Sequence, residues 1–112
     1  MNNRINYIEL YTNNLNQTKA FYGSVFGWSF EDYGPNYASF LNAGIDGGFE
    51  QTNEPIKNGV LVVLHHENLE EVIRLIEKNG GKISVDIFEF PGGKRFQFID
   101  PAGNELAVWS KT

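Results

Sequence analysis

An α+β fold built from two βαβββ modules is what this sequence predicts, on three observations. The order strand, helix, three strands is legible twice along the 112 residues. A shift of 54 positions lays Leu15 on Leu69, Thr18 on Val72, Tyr22 on Ile76 and Gly27 on Gly81, so helix faces and helix ends coincide. A polar connector without periodicity, Thr52 to Gly59, parts the two halves. Module one then covers about 3–51 and module two about 60–110 of a chain long enough for one domain.

The elements follow in order. From Arg4 to Thr12, Ile8 and Leu10 share one strand face while Ile5, Tyr7, Glu9 and Tyr11 share the other. Asn13 and Asn14 offer N-caps to a helix carrying Leu15, Thr18, Tyr22 and Val25 and ending before Gly27. Trp28 to Tyr33 and Tyr37 to Leu41 alternate around the turn Gly34-Pro35-Asn36, and Ile45 to Gln51 forms the next strand. In the second half Val60 to His65 is a β-branched run, and Asn68 caps a helix carrying Leu69, Val72, Ile73 and Ile76. Asn79-Gly80-Gly81 suits a left-handed helix end. Strands are expected over Lys82 to Phe90, Lys94 to Ile99 and Asn104 to Trp109. The last two are joined by the hairpin turn Asp100-Pro101-Ala102-Gly103.

Composition removes several classes of function. The formal charge is -5 and no Lys/Arg cluster interrupts it, which argues against nucleic-acid and anionic-membrane partners. With no cysteine there is no disulfide, thiolate metal site or thiol nucleophile. The N-terminus lacks a basic region followed by an apolar stretch, and no run approaches the roughly 18 apolar residues of a membrane span; a cytoplasmic protein is expected. Aromatics make up 14% of the chain, more than a minimal core of this size needs, so some are expected to line a pocket.

In this arrangement several short motifs acquire meaning together. They are Asn14-Leu15 opening the first helix, Phe21-Tyr22 through Phe26-Gly27-Trp28, Gly80-Gly81 after the second helix, and Phe98 to Asn104, reading FIDPAGN. In this order and spacing the chain resembles the vicinal oxygen chelate superfamily of glyoxalase I, bleomycin and fosfomycin resistance proteins and extradiol dioxygenases. Pro91-Gly92-Gly93 and Glu105 to Trp109 are similar to a bacterial branch related to lactoylglutathione lyase. The resemblance implies curved mixed sheets enclosing a cavity, often completed by a homodimer. It also implies a divalent metal held by His and Glu from the first and last strand of each module. Those positions fall on Tyr7, Gly48, Leu61 and Ala107, which include no carboxylate and no imidazole. No metal and no other cofactor is therefore expected at the family position.

The remaining candidates are polar residues near those positions. Glu9, Glu50 and Glu105 stand two residues from Tyr7, Gly48 and Ala107 and share their strand faces. Glu50 and Glu105 are the catalytic candidates, as unusual metal ligands or as an acid or base of raised pKa; the ordinary reading is solvated rim carboxylates, or partners of Lys94 or Arg95. His65 and His66 are adjacent and point to opposite faces, so they do not chelate one ion. No serine or threonine sits in a nucleophile elbow. Gly92-Gly93 follows a proline between strands and fails the context of a phosphate loop, leaving a turn with Arg95 as a candidate anchor for an anion.

Tyr7, Phe49, Phe96, Phe98 and Trp109 are candidate pocket walls, with Leu106 and Val108 packed under the helices. The expected function is binding of a small, partly apolar molecule through Tyr7, Glu9, Glu50, Leu61, Arg95, Phe96, Ala107 and Trp109. The alternatives are a lyase or isomerase related to lactoylglutathione lyase and an interaction module with a filled cavity.

Overall fold

The computed structural model describes residues 5–111. The expected start of the first strand at Arg4, and of module one at residue 3, lie outside the described residues. Module one comprises β1 (Tyr7–Thr12), α1 (Leu15–Phe26), β2 (Ser29–Asp32), β3 (Tyr37–Leu41) and β4 (Asp46–Gln51). Module two comprises β5 (Val62–His65), α2 (Leu69–Lys78), β6 (Lys82–Phe90), β7 (Gly93–Ile99) and β8 (Glu105–Ser110). The two mixed sheets have orders β1-β4-β3-β2 and β5-β8-β7-β6, the first pair parallel in each.

The repeat extends to register. Ile8 stands opposite Gly47 in β1 and β4, and Val62 opposite Leu106 in β5 and β8. The equivalent positions are 54 apart in the first strands and 59 apart in the last. The extra length accompanies β6 and β7, which run 9 and 7 residues where β2 and β3 run 4 and 5. β6 absorbs it with register shifts between Ile83 and Val85 and between Val85 and Phe88, irregularities of the kind that bend a strand.

Local chemistry sets the helix ends. Asn14 Oδ1 accepts from the Gln17 N–H at 3.1 Å and Asn68 Oδ1 from the Glu71 N–H at 3.1 Å, each satisfying a donor that the first turn leaves free. Asn13 instead reaches the connector, donating to the carbonyls of Thr52 and Glu54. Gly27 ends α1 at φ 74°, and Gly80 supplies the left-handed residue beyond α2 at φ 93°. His66 Nδ1 accepts from the Asn68 N–H at 2.9 Å, so this histidine serves the helix entry.

One apolar cluster joins the modules. Phe21, Tyr22 and Val25 of α1 and Leu69, Val72 and Ile76 of α2 pack with Phe40, Phe49, Phe96, Phe98, Leu106 and Val108. Phe98 of module two lies 6.1 Å from the Phe21 ring and 5.9 Å from Phe26. Tyr22 stacks on Trp28 at 4.8 Å and donates its hydroxyl to Asp100 Oδ2 at 2.8 Å. Asn104 Nδ2 donates to the Tyr11 carbonyl at 2.7 Å. Polar bonds thus cross the same boundary as the apolar packing. Among the described residues no helix is long and apolar enough to cross a membrane.

Candidate functional site

Each sheet turns one face to the helices and leaves the other open, and strand parity assigns the candidates between them. On β7, Phe96 and Phe98 pair with Val108 and Leu106 of β8 and are fully buried in the core. Arg95 and Gln97 pair with Trp109 and Ala107 on the open face. Phe96 is therefore corrected from pocket wall to core, as are Phe98 and Phe49. The physical reason is that Arg95 and Phe96 are neighbours on one strand and cannot share a face.

The open face of module one is centred on Tyr7, Tyr37 and Glu9. β1 and β3 are separated by β4, yet the Tyr7 and Tyr37 hydroxyls meet at 2.5 Å. They can do so because Gly48 on the intervening strand has no side chain: a Cβ there would lie 2.5 Å from Tyr37 Oη. Burial, followed by hydrogen bonds to Tyr7 and Glu9, pushes the Tyr37 phenol well above its ordinary value, so it remains a hydroxyl at neutral pH.

Tyr7, Glu9 and Glu105 come together along a crevice of about 440 Å³, with Lys57, Asn58 and Asn104 on its walls. Asn58 holds this side in place, donating to the Gly103 carbonyl at 3.2 Å and accepting from the Glu105 N–H at 2.9 Å. Across β1 lies a second, apolar crevice of about 520 Å³, walled by Ile8, Leu10 and the stretch from Val60 to His65, with Leu61 among them, and reaching Phe26 and Trp28. Among the described residues, the edges of β1 and β5 that border it pair with no strand. Glu50 is exposed, in register with Tyr11 and Tyr37, and does not line the crevice that holds Glu9 and Glu105.

On module two, Glu105 Oε2 accepts from Ser84 Oγ at 2.7 Å and from Gln97 Nε2 at 3.1 Å, and Gln97 Oε1 accepts from Arg95 Nη2 at 3.2 Å. Trp109 is half-buried with its ring 5.1 Å from His65. Tyr37, Ser84, Gln97 and Asn58 were not marked by the sequence. Their signal is cross-strand register, which a single strand does not carry.

The four positions at which the resemblance implies metal ligands carry residues that do not suit a metal. Tyr7 offers a phenol already bonded to Tyr37, Gly48 has no side chain and no room for one, Leu61 is aliphatic, and Ala107 is a fully buried methyl. Among the described residues no group of three or more His, Cys, Asp or Glu side chains is placed to hold an ion.

Paired βαβββ modules with a core between helices and sheets, and open faces carrying the polar groups, define the class of this protein. The chain belongs to the Glyoxalase/Bleomycin resistance protein/Dioxygenase superfamily, whose family model matches residues 4–108. It is 26% identical over 118 residues to the Mycobacterium bovis protein named "Putative glyoxylase CFP32", covering 93% of this chain and 44% of that protein. The chain thus spans less than half the length of this curated relative. Among solved structures, a glyoxalase/bleomycin resistance protein/dioxygenase family enzyme from Burkholderia phytofirmans superposes with TM-score 0.83 at 15% identity, covering 95% of this chain and 97% of that one. The fosfomycin resistance protein FosX from Listeria monocytogenes superposes with TM-score 0.82 at 19% identity, covering 100% and 96%. A variant of FosX was solved with Mn(II) and 1S,2S-dihydroxypropylphosphonic acid. At these identities the structural likenesses establish the fold.

Proposed function

We propose that this protein binds a small, partly apolar molecule on its open sheet faces without a divalent metal. The observation that supports this reading is the Tyr7–Tyr37 pair over Gly48, which occupies with phenols the place where a chelating side chain would project. Glu105 and Arg95 supply polar orientation beside Trp109 and Leu61, with Glu50 at the margin. Protein purified without a tag is expected to contain no stoichiometric divalent ion by elemental analysis, and its ligand binding is expected to survive chelation. One tightly held ion per chain, with binding lost on its removal, would sink the proposal.

A homodimer completes this reading. Ile5, Tyr7, Tyr11, Val60, Leu61 and Val63 are exposed at and around β1 and β5, beside two strand edges that have no partner strand among the described residues. An apolar patch beside open strand edges is a surface that another chain can cover. Sedimentation at micromolar concentration is expected to show a dimer; a monomer across that range would remove the dimer from the proposal.

A further inference from the structure

We propose that Arg95 anchors the anionic end of a small planar carboxylate lying on the open face of the second sheet. This rests on the small-molecule reading above and names the ligand class for that face. The register sets four side chains in one row across four strands. Phe88 of β6 stands opposite Arg95 of β7, Arg95 opposite Trp109 of β8, and Trp109 opposite His65 of β5. A single cation is thus flanked by aromatic rings, with its guanidinium carbon 5.2 Å from the Phe88 centroid.

That cation has less than it can bond. A guanidinium carries five N–H donors in a planar fork, and the side-chain hydrogen bond in place runs from Nη2 to Gln97 Oε1. Its Nε is the buried side-chain nitrogen or oxygen, among the described residues, that has no hydrogen-bond partner. The ion pair among the described residues, Lys19 with Asp32, lies elsewhere, so among the described residues no carboxylate forms an ion pair with Arg95. Buried donors are rarely left unmade without a functional reason.

The neighbours orient the group. Gln97 is held by its own amide on Glu105 Oε2, and Glu105 is held in turn by Ser84, so the Gln97 oxygen faces Arg95. The guanidinium carbon stands 5.2 Å from the Phe88 centroid and the Nε–H is buried without a partner, so a ligand acceptor in the plane of the fork would complete the group by entering beside Phe88. A carboxylate matches the planar fork with two parallel bonds. The ligand body would lie towards Trp109 and Val63, the latter 44% exposed on the same sheet face. Stacking on a flat ring favours a planar, conjugated acid.

The test uses the full chain with two probes of one shape, benzoate and its neutral amide benzamide. Benzoate is expected to raise the melting temperature and to move the Arg95 Nε–H and Trp109 indole resonances saturably. Benzamide should bind at least about tenfold more weakly. Arg95→Met keeps an apolar stem against Phe88 and should bring benzoate down to the benzamide level. Arg95→Lys, which keeps the charge and loses the fork, should fall between the two. Equal binding of the two probes, or undiminished benzoate binding by Arg95→Met, would overturn the anchor and leave the small-molecule reading standing. If neither probe moves any resonance of Trp109, His65 or Val63, the anchor is overturned and the small-molecule reading is weakened with it. Should Arg95→Met fold poorly, the Nε–H resonance of the wild-type protein still decides.

Discussion

Replacing Asp100 with Ala is expected to cost about 3–5 kcal/mol of folding stability, the penalty for leaving several buried donors without an acceptor. Asp100 Oδ1 accepts from the N–H groups of Ala102, Gly103 and Asn104, each at 2.9 Å, while Oδ2 accepts from the Tyr22 hydroxyl and from Asn104 Nδ2. One carboxylate therefore closes the β7–β8 turn and ties it to α1 of the other module. Tyr22→Phe removes a single donor and should cost only about 1 kcal/mol. Urea unfolding of the variants measures both, and similar losses for the two would show that the turn does not depend on Asp100.

The same carboxyl makes stability depend on pH. Burial raises its pKa above the ordinary 3.8, against the lowering effect of the bonds from Asn104, Tyr22 and Ala102. Between 3.8 and the higher folded-state value, the native state holds the proton that the unfolded state has released. The associated stabilisation is complete below 3.8 and is lost as pH rises through the folded-state value. The stability of the wild type relative to Asp100→Asn should therefore be greater at about pH 4 than at about pH 7. A gap that widens towards neutral pH would mean that the hydrogen bonds outweigh burial.

Much of the fold was legible because its signals are local. Asn14 and Asn68 cap the helices as their sequence positions suggest, and Gly27 and Gly80 end them in the conformation glycine permits. The start of β5 was less legible. Val60 and Leu61 have strand composition, but the parallel partner β8 begins pairing at Leu106, opposite Val62, and Asn58 ties the preceding chain to Gly103 and Glu105 instead. Composition sets what a residue favours, and the partner strand decides whether it pairs.

The site was legible only in part, because it is assembled across strands. Parity within β8 correctly separates Trp109 from Leu106 and Val108, which are fully buried. Parity alone does not reveal that Tyr37, thirty residues from Tyr7, crosses an empty glycine position to meet it. That meeting needs the order β1-β4-β3, which no single stretch contains. The absence of a side chain at Gly48 is what makes room for the phenol pair, since a Cβ there would lie 2.5 Å from Tyr37 Oη.

Aromatic residues separate into two groups, and substitution should divide them cleanly. Phe98→Ala is expected to cost about 3–5 kcal/mol, because Phe98 is fully buried and packs against Phe21 and Phe26 of the other module. Truncation there opens a cavity at the junction of the modules, where relaxation would have to move a helix against both sheets. Trp109→Ala removes a larger ring, but one half-buried on the open face beside His65 and Phe90, and should cost only about 1 kcal/mol. Its effect belongs in binding instead: loss of the stacking surface should weaken benzoate about tenfold. Urea unfolding and probe titration on both variants provide the comparison. Comparable stability losses, or unaltered binding by Trp109→Ala, would show that Trp109 is core rather than wall.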